Sequence, residues 1–236
     1  MTTLNINVHH VTRVEGHGDI VVDVKSGEIK KCQFEVVEAP RFFEAFVRGR
    51  PYYELSHITS RICGICSIGH ATTSLRATEK ALGVEPSEQT VLLRKLNFHG
   101  EMIDSHVLHT YYLVAPDFRG VGSVIPLAET HPDVVVRALR IKKLSGDLCA
   151  MVAGRHTHPI AMAVGGFTHL PTIKELQAMK ERLCAAREDM DETIALLKTL
   201  PWPQFERETE YVSLQKEEEY AFIDGVVATT DGFTYE

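Results

Sequence analysis

The sequence predicts an α+β fold: a mainly helical bundle body with a small β-sheet at its N-terminus. Three observations carry this. The first 40 residues alternate with a period of two, apolar spacing of three and four residues takes over from about Ile65, and Gly and Pro punctuate the change at each boundary. Ile20, Val22 and Val24 alternate with Val21, Asp23 and Lys25. Ser26-Gly27-Glu28 then supplies a turn, and Lys31 to Glu38 alternates again, which is a hairpin pattern. Pro40 ends it, and Arg41 to Arg48 reads as a short helix.

Ala71 to Leu82 is rich in helix formers and stops at Gly83. Pro86 opens a longer helix that runs to about Pro116, with Leu92, Leu96, His99, Ile103, His106 and Leu113 sharing a face. Val134 to Val152 reads as another helix, weakened by Gly146. The best-marked helix follows Leu170-Pro171, where Thr172 and Glu175 make a capping box. Its stripe of Leu176, Met179, Leu183, Met190 and Leu197 is core or a helix–helix seam, and Pro201 and Pro203 end it. Tyr220 to Ala228 looks like a strand interrupted by Asp224-Gly225, and Asp231-Gly232 like a hairpin turn. The sequence then reaches Glu236 in mid-hairpin, so it reads as truncated, with a strand left unpaired.

Composition excludes several classes. There are 25 Lys and Arg against 32 Asp and Glu, a net charge of -7, and no dense basic run. Binding to nucleic acid through phosphate electrostatics is therefore disfavoured. No apolar stretch approaches the roughly 20 residues that span a bilayer, and Met1-Thr2-Thr3-Leu4-Asn5 lacks the features of a signal peptide. The reading is cytoplasmic. Five cysteines, an odd number in a long chain, argue against a disulfide scaffold. Cys32 in a strand pattern, Cys149, and Cys184 in a helical pattern read as unremarkable free thiols, buried as is usual.

Cys63 and Cys66 are the pair close enough for joint chemistry. Two intervening residues let both sulfurs turn toward one ion, and that spacing serves zinc, iron–sulfur and nickel alike. The pair alone leaves three readings: half of a structural zinc site with His70 as third ligand, a thioredoxin-like redox pair, or a softer metal centre. The preceding hairpin, where a βαβ unit is wanted, disfavours the redox pair. A second Cys-x-x-Cys or Cys-x-x-His, which a closed zinc site wants, is absent from the sequence.

The surrounding residues go further. Arg61-x-Cys63-x-x-Cys66-x-x-x-His70 resembles the first cysteine motif of nickel–iron hydrogenase large subunits. Thr12-Arg13-Val14-Glu15-Gly16-His17 resembles the family's N-terminal Arg-x-Glu-Gly-His motif. Ser105-His106-Val107-Leu108-His109 through Asp117 resembles the helix after the cysteine pair, and Arg155-His156-Thr157-His158-Pro159 with Gly165-Gly166 a later His-Pro motif. The four occur in family order along most of the chain.

The resemblance implies the catalytic subunit of a hydrogenase that oxidises H2 reversibly to protons and electrons. Cys63 would be a terminal nickel ligand and Cys66 would bridge nickel and iron, whose CO and cyanide ligands come from maturation proteins. Two more cysteines, in an Asp-Pro-Cys-x-x-Cys motif that this sequence lacks, would complete the site. The chain would be the N-terminal part of one large-subunit domain, with its C-terminal half missing. Within it, residues 1–40 form the hairpin region, 41–200 the helical body and 201–236 the β-like end. Glu15 matches the proton-relay glutamate, a role that burial suits by raising a carboxyl pKa. Glu44, 29 residues after Glu15 and 19 before Cys63, matches a magnesium-binding glutamate. His70 would hydrogen-bond the bridging sulfur, and Arg61 would place positive charge beside the thiolates. His106, His109, His156 and His158 read as packing and hydrogen-bonding residues.

An aspartate stands at the Ser105 position in membrane-bound relatives, and Asp104 points elsewhere on a helix. That departure resembles the cytoplasmic, multi-subunit branch. The implied partners are an iron–sulfur small subunit bearing on an apolar docking face, and further electron-transfer subunits. The competing reading is a structural zinc or scaffold protein of the same fold, such as the quinone-binding subunit of respiratory complex I, which has lost the metal cysteines.

Overall fold

The structure, a computed structural model, describes residues 3–221 and 223–235. The predicted N-terminal hairpin is β2 (Gly18–Lys25) with β3 (Glu28–Val36), joined at Ser26-Gly27, where both residues have positive φ. β1 (Thr3–Val8) adds to the other edge of β2, giving an antiparallel sheet in the order β1-β2-β3. A register shift at Asp23/Val24 bends the hairpin. Leu4, Ile6, Val8, Ile29, Phe34 and Val36 are exposed on this sheet.

The helical body begins with α1 (Arg41–Val47) and α2 (Tyr52–Thr59). The helix predicted from Ala71 begins earlier: α3 spans Ser67–Leu82 and ends, as expected, on Gly83 in the left-handed region. α4 (Glu88–Val107) is N-capped by Ser87. It continues as a π-helical segment, Leu108–Val114, into α5 (Ala115–Phe118). α6 (Leu127–Thr130) leads to α7 (Pro132–Ala153), and the short strands β4 (Met162–Ala163) and β5 (Gly166–Phe167) pair after it. The architecture is α+β, as the sequence predicts.

The core lies between α3, α4 and α7. Ile68, Ala71 and Leu75 pack on Cys149, Ala153 and Met162; Leu93 meets Leu144, Leu148, Val152 and Met179; Val107 and Tyr111 meet Val134, Ala138 and Ile141. The inward face of α4 differs from the predicted one. Leu92 and His106 are exposed, whereas Leu93, Arg94, Asn97, Gly100, Glu101, Asp104 and Val107 are buried. Gly100 explains the choice: a Cβ there would come within 2.9 Å of Cys149 Sγ, so α7 approaches along the stripe that contains the glycine. Gly146, which weakens α7 locally, makes room for the ring of His156.

Two of the buried ionic groups of that face, Arg94 and Asp104, are ion-paired. Arg94 and Glu79, each with a side chain 5% exposed, form a bidentate ion pair, and Glu79 also accepts from Gly165 N–H. Removing one partner, as in Arg94→Met, leaves a buried charge alone and is expected to cost about 3–5 kcal/mol. Urea unfolding of the variant against wild type measures this, and a cost below ~1 kcal/mol would show the pair to be dispensable.

Two further expectations change. The helix predicted from Thr172 has the capping box, but it is two helices, α8 (Ile173–Ala185) and α9 (Arg187–Lys198), broken at Ala186. The bend lets Met179 enter one core cluster while Thr193 hydrogen-bonds the buried Tyr111 hydroxyl at 2.6 Å. Of the stripe, Met179 is buried and Met190 exposed. The final sheet is β6 (Val212–Gln215), β7 (Val226–Thr229) and β8 (Thr234–Tyr235), in that order. The strand after the Asp231-Gly232 turn therefore has a partner, β7. The strand predicted from Tyr220 starts only at Val226; Phe222 and Glu236 lie outside the described residues.

Candidate metal centre

Cys63 follows a single 3₁₀ turn, Ser60–Ile62, and Cys66 is the N-cap of α3. The loop between them brings their Cα atoms to 5.5 Å, and the two sulfurs are joined as a disulfide. Cys63 is buried, at 7% exposure, and its Sγ accepts from Cys66 N–H at 3.1 Å. One turn along α3, His70 completes a cluster in which one ligand atom from each of Cys63, Cys66 and His70 lies within 4.8 Å of the others. Once the disulfide is reduced, two thiolates and an imidazole are soft or borderline donors, suited to nickel, iron or zinc. A cleft of about 390 Å³ opens beside Cys66 and His70, bounded by Thr73, Arg76 and Phe98.

Residues far apart in sequence converge here. Glu15 reaches the pair from the loop between β1 and β2, with Oε1 at 3.4 Å from Cys63 Sγ. Its loop is anchored by a bidentate ion pair from Arg13 to Asp117, at 2.6 and 2.7 Å. That pair holds the Asp117 carboxyl below the usual carboxylate range, chiefly through hydrogen bonding to the guanidinium. Arg13 has φ of 64°, a left-handed conformation costly for a residue with a side chain. His158, with φ of 57°, grips both flanks of the cysteine loop: its N–H donates to Ser67 Oγ at 3.0 Å, and its Nδ1 meets Ser60 O at 2.9 Å.

The other predicted site residues are placed less centrally. Glu15 is itself exposed, so the burial invoked for it is not supplied by the described residues. Arg61 sits exposed on the 3₁₀ turn. Glu44 is exposed on α1 and paired with Arg41 at 3.3 Å, outside the Cys63–Cys66–His70 cluster. His106 Nδ1 bonds Met102 O at 2.6 Å, and His156 Nε2 meets Asp104 Oδ1 at 3.2 Å, in keeping with hydrogen-bonding roles. Of the remaining cysteines only Cys149 is buried, and burial pushes its thiol up to about 12; Cys32 and Cys184 are exposed, against expectation.

One further residue at the site has no local signal in the sequence. Glu101 on α4 is 5% exposed and accepts from Ile68 N–H at 2.6 Å and Gly69 N–H at 2.9 Å. Burial pushes its carboxyl up to about 7; the two amide bonds oppose that shift and the neighbouring Asp104 adds to it. Asp104 is held by Lys142 at 2.5 Å, Ser145 at 3.0 Å and His156. A carboxyl buried at helix spacing from a second acidic residue is visible in the sequence only once the inward face of α4 is known.

The raised value has a sign that can be checked. The folded state holds the proton more tightly than the unfolded chain, whose value is near 4.5, so wild type loses stability as pH rises from 4.5 to about 7. Glu101→Gln removes that dependence. The stability difference between the two is expected to move against wild type by about 3 kcal/mol across this window. Denaturant unfolding at several pH values reads it, and parallel curves would show that Glu101 does not titrate there.

Fold and site together define a mainly helical protein with a cysteine–histidine cluster that, once its disulfide is reduced, is fit for a soft metal ion. Residues 41–131 match the family model described as nickel-dependent hydrogenase, and residues 5–39 match one described as HoxL-like. The chain is 39% identical to the alpha subunit of sulfhydrogenase 2 from Pyrococcus furiosus, over 75% of this chain and 43% of that protein. It is 31% identical to the F420-non-reducing hydrogenase vhu of Methanocaldococcus jannaschii, over 93% of this chain and 56% of that protein. The structure superposes on an NAD+-reducing [NiFe]-hydrogenase with a TM-score of 0.86, covering 98% of this chain and 55% of that one, at 24% identity, a likeness of fold. A Desulfovibrio vulgaris Hildenborough Ni-Fe-Se hydrogenase matches with a TM-score of 0.70 at 28% identity, over 82% of this chain and 43% of that one. The chain belongs to the nickel-dependent hydrogenase large-subunit family. It spans about half the length of the curated relatives it matches.

Proposed function

We propose that this chain is the N-terminal part, and one structural domain, of the catalytic subunit of a nickel–iron hydrogenase, which oxidises H2 reversibly to protons and electrons. The observation that supports this most is the convergence of three other motifs on the cysteine motif, through Glu15–Cys63, the Arg13–Asp117 pair that anchors the Glu15 loop, and the His158 grip on Ser60 and Ser67. Cys63 and Cys66, reduced to thiolates, would hold the nickel and iron and supply half of the family's four-thiolate set, and the donor chemistry fits. A nickel–iron centre held there, with CO and cyanide on iron, would supply the Lewis acidity that makes hydrogen acidic.

The chain's own residues then handle the proton. Glu15 takes it at Oε1, 3.4 Å from Cys63 Sγ, and its exposure lets it pass the proton outward. The Arg13–Asp117 pair fixes the loop that carries Glu15. His70 donates toward the Cys66 sulfur and Arg61 adds positive charge at the turn before Cys63. Glu44 is proposed as a magnesium ligand on its sequence spacing alone; its carboxylate meets Arg41 in the structure.

Electrons leave through an iron–sulfur small subunit, since this chain's remaining cysteines are too scattered to hold a cluster. Exposed Phe42, Phe46, Tyr52 and Tyr53 on α1 and α2 form an apolar face suited to such a partner. Further electron-transfer subunits, maturation proteins and a cytoplasmic location complete the reading; no helix among the described residues is long and apolar enough to cross a membrane. Metal analysis of the full-length complex with a hydrogen-dependent viologen assay tests it. Nickel with iron and turnover is expected; zinc or no metal without turnover would favour the scaffold alternative.

A further inference from the structure

Cys66 occupies the N-cap of α3, the position whose side chain ordinarily accepts from the second or third amide of its own helix. Cys66 makes no such bond. The second and third amides, of Ile68 and Gly69, are instead taken by the two carboxylate oxygens of Glu101 from α4. Gly69 permits the approach: a Cβ there would stand 3.3 Å from Glu101 Oε2 and 3.2 Å from the Phe98 ring. The carboxylate also meets the positive end of α3. Its own helix is fixed to α7 by the close approach at Gly100 and by Asp104 with Lys142 and Ser145.

We propose that Glu101 is a positioning residue that caps α3 from outside in place of Cys66, so that the Cys66 sulfur, on a fixed backbone, is not drawn to the helix amides and can bind metal once its disulfide with Cys63 is reduced. A cap drawn from the sulfur would turn it toward the helix amides and away from Cys63 and His70. Glu101 does the capping, so the residue at the cap can be chosen for its thiolate. This inference rests on the hydrogenase reading for the identity of the metal, but the capping itself does not.

The test uses Glu101→Ala and Glu101→Gln in the full-length protein, with two readouts. Amide hydrogen exchange follows Ile68 and Gly69; nickel content and nickel electron paramagnetic resonance follow the metal. In Glu101→Ala, exchange at these two amides is expected to rise roughly tenfold or more, as expected for loss of charge-assisted bonds. Exchange in the rest of α3 stays unchanged, nickel occupancy falls several-fold and the residual signal shifts. Glu101→Gln, which keeps one acceptor, falls between, and it carries the test by the same criteria if the alanine variant does not fold. Unchanged exchange at Ile68 and Gly69 overturns the proposal, as does faster exchange with wild-type nickel content and signal. Absence of nickel from the parent protein overturns the hydrogenase reading and this proposal with it, a result distinct from nickel that is present and indifferent to Glu101.

Discussion

Cys63→Ser or Cys66→Ser, introduced singly into the full-length protein, is expected to abolish nickel retention and hydrogen oxidation. A neutral serine hydroxyl is a hard, weakly basic donor, and soft metals need the thiolate. The geometry adds a second reason. Cys63 Sγ is the atom that faces Glu15 and accepts from Cys66 N–H, so its loss would also remove the sulfur from which, on the proposed mechanism, a proton is handed to Glu15. Cys184→Ser should leave activity largely intact, because that thiol is exposed on α8 and away from the cluster. Cys149→Ser tests the other limit: the thiol is buried and contacts Asn97 O, so its replacement perturbs packing, yet activity per folded molecule should persist. Wild-type nickel in either Cys63 or Cys66 variant would sink the assignment of the ligands.

Glu15→Gln is expected to keep the metals and to slow proton transfer by on the order of 10²-fold, the lower end for loss of a general acid–base group. Glutamine is nearly isosteric and keeps an oxygen near Cys63, but it cannot carry a proton. The Arg13–Asp117 anchor is untouched by the change, so the loop stays in place. Hydrogen–deuterium exchange catalysed by the enzyme, measured beside dye-linked oxidation, separates proton movement from electron flow. Equal rates to wild type in both would return Glu15 to an ordinary surface carboxylate.

The local elements were largely legible. Alternation over residues 18–36, the Gly83 stop and the Thr172–Glu175 box each act within a few residues, so backbone geometry follows from neighbours in sequence. Where packing chose between alternatives, sequence periodicity misled. The predicted stripe of α4 is split: Leu92 and His106 are exposed while Leu96 and Ile103 pack at the edge of the core, and the fully buried stripe carries Arg94, Asn97, Glu101 and Asp104. The charged residues among them are tolerated inside because each finds a partner on another element, and partners 15 to 41 positions away in sequence have no local signature. The break at Ala186 belongs to the same class, since α9 turns to meet Tyr111.

The chemistry on offer was already settled in the amino-acid sequence: a cysteine pair at a helix start, a glutamate in a glycine turn, and the order of motifs that resembles the family's. Residue type sets donor softness and acid–base capacity before any folding. Which of those groups meet was settled only by the packing of the folded chain. It set Glu15 against Cys63 across 48 positions, clamped the cysteine loop from His158, and left Glu44 with Arg41 outside the cluster. It also put Glu101 on the amides behind Cys66. A helix cap or an ion pair requires contact within about 3 Å, and such contact depends on how whole helices pack rather than on the residues' own preferences.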